Sequence, residues 1–267
     1  MAVDIGSYAF DTYEKQEAEL EILKRQAELA LPLEKSIWKE VGLGKNMNIL
    51  DIGCGAGITS LHLAAYANAG YVTGMDPSET LIANAKKLRD EKKITNIDFY
   101  TGDIYNTVFP EKAFDFIYCR FLFQHLRYPE RALSGIRRHL KPEGVICVID
   151  VDDAWVQLYP EPSKFKKLVE RSAAVQKRDG GDRYIGSKLP LYLREAGYHS
   201  VESKIKVISS FDIGLEPFLK IALDFRAERL SPEEAEQAQN ELKEIYAVAR
   251  QSSSWGALGI FAATGKG

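Results

Sequence analysis

The stretch ILDIGCGAGIT, residues 49–59, constrains the fold more than any other part of the chain. Ile49, Leu50 and Ile52 read as a buried strand, and the chain then loses its side chains at Gly53, Gly55 and Gly57 before an apolar helical pattern begins. A strand that turns into a helix over glycines does one of two things. It makes a tight turn, or it lets a ligand lie against the unpaired N–H groups at the helix start, where a missing Cβ permits close approach. The spacing departs from the G-x-G-x-x-G of a dinucleotide turn: the third glycine falls one place early, and Ile58 holds the expected position. That counts against an NAD-dependent oxidoreductase. Asp76 ends the next β-rich run, about 20 residues on, where a carboxylate accepts hydrogen bonds from ribose hydroxyls. A ribose-containing ligand is implied.

Around this turn, short β-rich runs alternate with helical ones. MNILDIG, YVTGMD, IDFYTGD, FDFIYC and GVICVIDV are separated by helical stretches over 60–67, 78–92 and 129–140. Such alternation makes right-handed crossovers and a mostly parallel sheet, so the fold class is α/β. Ahead of the sheet, Leu20, Leu23, Ala27 and Leu31 recur at helical spacing, as do Leu33, Ile37 and Val41 after Pro32. The spacing predicts two amphipathic helices broken at the proline. After Asp150 the regularity loosens through DDAWVQLYPEPSKF, and helices are expected over 165–177 and 188–196, with two more within 216–250. Strands are expected in SKIKVISSF and WGALGIFAATG. The organisation expected is an N-terminal helical arm over residues 1–45 and a domain over 46–267, with cap insertions at about 155–185 and 215–250.

The 267 residues, 45% hydrophobic, suffice for one sizeable core. A net charge of −3 offers no broad basic field for nucleic acid. Cys54, Cys119 and Cys147 are isolated, with no metal-ligand spacing, and read as reduced structural thiols of a cytoplasmic protein. No basic start leads into an apolar stretch, and no apolar run is long enough to span a membrane.

In order, ILDIGCGAG, VTGMDPS, TGDI, FDFIYCRFLFQHL and LKPEGVICVID resemble the successive motifs of class I S-adenosylmethionine-dependent methyltransferases, from about Asn46 to Val151. Within that superfamily the chain is most similar to the small-molecule branch that includes the ubiquinone/menaquinone-biosynthesis type. The resemblance implies a Rossmann-like, doubly wound sheet of seven strands, mostly parallel with the last antiparallel, and S-adenosyl-L-methionine as cofactor with no metal. It implies that Asp51 reaches the methionyl amine, that Gly53, Cys54, Gly55 and Gly57 lie against methionine and ribose, and that Asp76 holds the ribose hydroxyls with Pro77 beside the adenine. Gly102, Asp103 and Ile104 would meet the adenine, and the backbone of Cys119 and Arg120 would turn a carbonyl toward the amine. The start YAFDTYEKQEAELEIL also resembles the arm of related enzymes, which brings Tyr8 and Gln16 toward the cofactor.

Each of these residues has a plainer reading as well. Asp76 and Asp103 are ordinary cap or turn residues, Asp51 a strand-end carboxylate and Cys119 a small buried hydrophobe. Methyl transfer is an in-line displacement that chiefly needs alignment and exclusion of water. For an acceptor that must lose a proton, His125 in FQHL is the expected base, with packing beneath a loop as its alternative. Tyr8, Phe10, Tyr13, Phe121, Trp155 and Tyr159 are expected as aromatic walls for a small-molecule acceptor. A noncatalytic cofactor-binding module and a protein or nucleic-acid methyltransferase are the alternatives. The strand-four end YCRF lacks the Pro-Pro-aromatic arrangement of base methylation.

Overall fold

The structure, a computed structural model, describes residues 7–8, 10–12, 16–224, 226, 230, 232–251 and 254–267. Seven strands form one sheet: β1 (Asn48–Ile52), β2 (Tyr71–Asp76), β3 (Ile97–Thr101), β4 (Phe114–Arg120), β5 (Leu140–Tyr159), β6 (His199–Ser209) and β7 (Trp255–Lys266). Their order is β3-β2-β1-β4-β5-β7-β6. β1 to β5 run parallel, and β7 lies antiparallel between β5 and β6. This is the expected Rossmann-like, doubly wound α/β fold. Because the chain leaves β1 toward β2 on one side and later places β4 on the other, a crevice opens where these strands end.

The buried runs explain the layers. Every residue of β1 after Asn48 is buried, as suits a central parallel strand covered on both faces. Helices α2 (Ile58–Tyr66), α3 (Glu79–Glu91) and α4 (Pro129–Arg137) supply part of that cover, and α6 (Leu189–Glu195) packs beside α4 through Leu189 and Leu193.

The N-terminal region corrects the two-helix expectation. A single helix, α1 (Gln16–Glu40), passes through Pro32. Proline inside a helix costs about 3 kcal/mol through its missing donor and its clash with the preceding turn. Ala27 and Ala30 are buried ahead of it, and Ile37 and Trp38 behind it. Burying Ile37 alone is worth about 1.5–3 kcal/mol, so packing on both sides outweighs the break. Ile37 and Trp38 share a core cluster with Ile49 and Tyr118 of the sheet.

Past Asp150 the sequence suggested a loosening, yet β5 continues to Tyr159. The pairing with β7 is interrupted between Val151 and Val156 and resumes, since β7 is long enough to partner both segments. The Asp152 side chain accepts the N–H of Ala154 at 3.0 Å inside this bulge. Beyond it, α5 (Phe165–Arg178), the short helices α7 (Ser210–Ile213) and α8 (Leu215–Leu219), a π-helical turn over Lys220–Asp224, and α9 (Pro232–Ala249) gather around Phe165, Leu168, Phe218, Leu223 and Ile245. This satellite core sits over one end of the sheet. No described helix is long and apolar enough to cross a membrane.

Candidate functional site

The glycine turn is built by three left-handed residues with different duties. Gly53, Gly55 and Gly57 have φ of 73°, 54° and 76°. A Cβ at Gly57 would lie 2.7 Å from both Ala85 Cβ and the Phe99 ring, and one at Gly53 would crowd Leu122 at 3.0 Å. Those two glycines serve packing. At Gly55 nothing lies within 4 Å, and the backbone there opens into a cavity of about 980 Å³. Ligand pockets run from roughly 300 to 1,000 Å³, so this one has room for two small molecules side by side.

Along one wall, Asp76 ends β2 and fastens the turn. Its Oδ2 accepts the N–H of Gly55 at 2.9 Å, and its Oδ1 accepts that of Ser78 at 3.0 Å. Burial pushes its pKa up to about 6, against the two backbone bonds that lower it. Pro77, Gly102, Asp103 and Ile104 continue the wall. Asp103 accepts the N–H of Tyr105 at 2.9 Å and the amide of Asn106 at 2.8 Å, so it caps its own turn.

Opposite them lies the N-terminal segment. Phe10 is buried against Ala56 and Leu81, and Asp11 Oδ1 accepts the Ser78 hydroxyl at 2.8 Å. The Ser7 N–H donates to the His125 carbonyl at 3.0 Å, and its hydroxyl meets His125 Nδ1 at 2.9 Å. Tyr8 stacks obliquely on the imidazole, with ring centroids 5.3 Å apart, and donates to Glu19 at 3.0 Å. These residues run over the cavity from the glycine turn to the end of β4. His125 lines the far part of the cavity with Phe121, Leu122 and Gln124.

The structure brings Gly53, Cys54, Gly55, Asp76, Pro77, Gly102, Asp103, Ile104, Arg120, Tyr8 and His125 to the lining of one cavity. Asp51, Gly57, Cys119 and Gln16 stand behind or beside it. Asp51 is buried, accepts the Ser60 hydroxyl at 2.5 Å, and has its pKa pushed up to about 7 by burial and by the neighbouring carboxylates of Glu34 and Asp76. Cys119 is fully buried in the sheet, and burial raises its thiol well above the usual range, so it is no nucleophile. Among the described residues Gln16 reaches the Asp11 carbonyl, at 3.4 Å.

Two expected aromatic walls are corrected. Trp155 and Tyr159 are 47% and 62% exposed and turn away from the cavity, because β5 stays a strand there and Trp155 packs edge-on to Phe261. Tyr13 lies outside the described residues. In their place the far wall is aliphatic, from Val151, Ile208, Ile213, Ile221, Leu258 and Ile260, with Arg183, Lys220 and Asp224 as its polar groups.

Two polar assemblies were not foreseen. Buried Glu34 on α1 binds the Arg120 guanidinium and accepts the Tyr118 hydroxyl at 2.9 Å, which pins the long helix across the strand ends. Arg120 also lies over the Phe121 ring, 4.4 Å from its centroid, and Phe121 takes the left-handed conformation at φ 50°. In the second assembly, Asp153 takes bidentate bonds from Arg183, at 3.1 and 2.7 Å, and from Arg226, at 2.6 and 3.0 Å. Burial alone would raise the Asp153 pKa, yet the two guanidinium groups hold it well below the usual range. Arg183 also donates to the Gln124 side chain, and Gln176 donates to the Gln124 carbonyl at 2.8 Å. The cap is thereby tied to the turn that carries His125. The DVDD run ahead of Ala154 was the sequence signal for Asp153, whereas nothing around Arg226 marked it as buried.

Comparison with known proteins places this geometry. Residues 50–148 match the family described as methyltransferase domain. An uncharacterized methyltransferase of Schizosaccharomyces pombe is 33% identical over 137 residues, 49% of each chain. The ubiquinone biosynthesis O-methyltransferase of Coxiella burnetii is 35% identical over 100 residues, 38% of this chain and 42% of that one. The chain spans about half the length of the curated relatives it matches. Among solved structures, phosphoethanolamine N-methyltransferase 2 of Haemonchus contortus, in complex with phosphomonomethylethanolamine and S-adenosylhomocysteine, aligns with a TM-score of 0.63 at 18% identity, over 98% of this chain and 60% of that one. At that identity the likeness is one of fold.

Proposed function

We propose that this chain is a class I S-adenosylmethionine-dependent methyltransferase, a reading supported by the match of residues 50–148 to the methyltransferase domain family, and that it binds S-adenosylmethionine over residues 53–57 and methylates a small-molecule acceptor. The observation that carries the reading is Gly55: a left-handed glycine with open space where its Cβ would be, at the mouth of a cavity and bonded to the Asp76 carboxylate. A cofactor with a ribose and a charged amino acid end fits this donor set. Asp76 offers its remaining lone pairs to ribose hydroxyls, Asp103 and the backbone of Ile104 face the adenine, and the turn backbone lies beside the methionyl chain.

When bound, the cofactor supplies a methyl group on an electrophilic sulfonium. The protein's own work is alignment and exclusion of water. α1, the N-terminal segment around Phe10 and the Lys220–Asp224 turn enclose the cavity, which favours a small acceptor over a folded macromolecule. The aliphatic far wall suits an acceptor with an apolar body. In this reading His125 takes the proton of a hydroxyl or amine, which its position on the cavity lining and the Ser7 bond to its Nδ1 support.

The experiment is calorimetric titration with S-adenosylhomocysteine, with NADH as control, followed by transfer of labelled methyl from S-adenosylmethionine to phenols, amines and quinone precursors. Micromolar binding that is lost in Asp76→Ala, and turnover that is lost in His125→Ala with binding intact, are the expected results. NADH binding without S-adenosylhomocysteine binding would overturn the reading. Binding with no transfer to any acceptor would favour a noncatalytic module.

A further inference from the structure

The sheet ends on β6, which pairs with β7 along one edge and with no described element along the other. The middle of this strand is open to solvent: Glu202, Ser203, Lys204 and Ile205 are all exposed, and Val207 is 56% exposed. Exposed edges of this length are normally covered or blunted, because their unpaired N–H and C=O groups template pairing with another chain. Lys206 is held by Glu40 at 2.5 Å and Lys204 reaches it only at 3.5 Å, so both lysines lean toward α1 on one face.

The order of side chains along this edge is its own antiparallel complement. In two copies related by a two-fold axis perpendicular to the sheet, opposite residues project from the same face, so the numbers of an opposed pair sum to an even value. With the axis at Ser203, Glu202 faces the second copy's Lys204, and Lys204 faces the second copy's Glu202. Val201 then faces Ile205. Shifting the axis to 202 sets Glu202 against itself, and shifting it to 204 sets Lys204 against itself. Only the Ser203 register, of these three, pairs every charge with an opposite or neutral partner.

The apolar side of the strand agrees with this register. Ile205 and Trp155 both border Gly259 of β7: a Cβ there would lie 3.5 Å from Ile205 Cγ2 and 2.8 Å from Trp155 Cβ. Val207 is directly paired with Gly259, so an exposed apolar strip reaches the open edge. Antiparallel pairing would set Val201 over Ile205 at that edge. The bulge that puts Ser200 at φ 49° limits the regular ladder to residues 201–205 of each copy.

We infer that β6 pairs antiparallel with β6 of a second copy of this chain, about a two-fold axis at Ser203, to join two seven-stranded sheets into one. Open sheets of up to about 15 strands are known, so a doubled sheet is within the usual range. The occupant is a second copy because the match is a self-match: a foreign strand would need no palindromic charge order. β6 reaches the cavity through Ile208, which lies beyond the 201–205 ladder, so this inference stands apart from the proposed chemistry.

Sedimentation velocity over a concentration series tests it. The wild-type protein should dimerise, and Glu202→Lys or Lys204→Glu should each raise the dissociation constant roughly tenfold or more by setting like charges opposite each other. The double swap, Glu202→Lys with Lys204→Glu, should restore the dimer, because the complement is restored. All the substituted side chains are exposed, and an unchanged melting temperature at a dilution where every form is monomeric shows that each is folded. A wild type that stays monomeric across the series, or a dimer indifferent to the charge reversals, overturns the inference.

Discussion

Asp76 holds the glycine turn by accepting the N–H of Gly55 at 2.9 Å, at the one of the three turn glycines with open space where its Cβ would lie. The carboxylate that shapes the loop is thus the one proposed to receive a ribose. Its pKa of about 6, raised by burial, makes its charge depend on pH in an accessible range. A hydroxyl donates more strongly to a carboxylate than to a neutral acid. S-adenosylhomocysteine affinity should therefore fall as pH drops from 7 through 6 to 5. In Asp76→Asn, binding is expected to be weaker at pH 7.5 and nearly flat over the same range. Calorimetry at three pH values checks this, and a wild-type affinity independent of pH would exclude a charged Asp76 from the binding site.

Much of this site is legible in sequence because its constraints are local. Gly53, Gly55 and Gly57 must be glycine for their φ values, and Asp76 falls at the end of a recognisable strand. What separates Gly55 from its neighbours is not local: Ala85 and Phe99 close the space around Gly57, and both lie far along the chain. The same limit hid Glu34 and Arg226, whose partners are 86 and 73 residues away in sequence. Pro32 misled for the converse reason. Its local rule is sound, but the packing of Ile37 and Trp38 onto the sheet overrides it. The sequence points Trp155 and Tyr159 toward the cavity because nothing in it shows that β7 is long enough to keep β5 a strand as far as Tyr159.

Asp51 gives a stability prediction with a definite sign. Its folded pKa is about 7 against an ordinary value of 3.8, with burial the main cause. The folded state therefore holds a proton that the unfolded chain has released. The contribution favours folding fully below about pH 4 and is lost as pH rises through 7, with a slope of at most about 1.4 kcal/mol for each pH unit between those values. Asp51→Asn keeps an acceptor for Ser60 and removes the titration. Its melting temperature should exceed the wild-type value at pH 8 and lose that advantage at pH 5. Scanning calorimetry at both pH values is the check, and equal slopes would place the proton elsewhere.

Phe10 anchors the N-terminal segment in a small cluster of its own with Ala56 and Leu81. Removing a buried phenylalanine from a core costs about 3–5 kcal/mol. Here the loss is confined to a segment that can detach while the sheet stays folded, so Phe10→Ala should release the segment from Ser7 onward rather than unfold the domain. Hydrogen exchange at Ser7 should rise toward that of free chain, and S-adenosylhomocysteine should bind about tenfold more weakly, with global melting nearly unchanged. A large drop in melting temperature with unchanged affinity would mean that the segment is core and not cover.

Arg226 is 1% exposed and shares Asp153 with Arg183, while its Nε donates to the Ala222 carbonyl at 2.8 Å. Breaking a buried ion pair by removing one partner typically costs about 3–5 kcal/mol, because the other charge is left poorly compensated. Asp153 retains Arg183, which puts the expectation at the lower end of that range. For a chain of this size 1 kcal/mol moves the melting temperature by about 2–4 °C, so Arg226→Met should lower it by about 6–12 °C. The effect should extend to catalysis through position alone: Asp153 holds Arg183, Arg183 holds Gln124, and the Gln124 backbone precedes His125. Turnover should fall while S-adenosylhomocysteine affinity stays within about twofold, since the cofactor wall is built by other strands. Arg226→Lys should recover part of the stability and little of the geometry, because an ammonium cannot reproduce the bidentate fork. Equal recovery by lysine on both readouts would reduce the assembly to simple charge neutralisation.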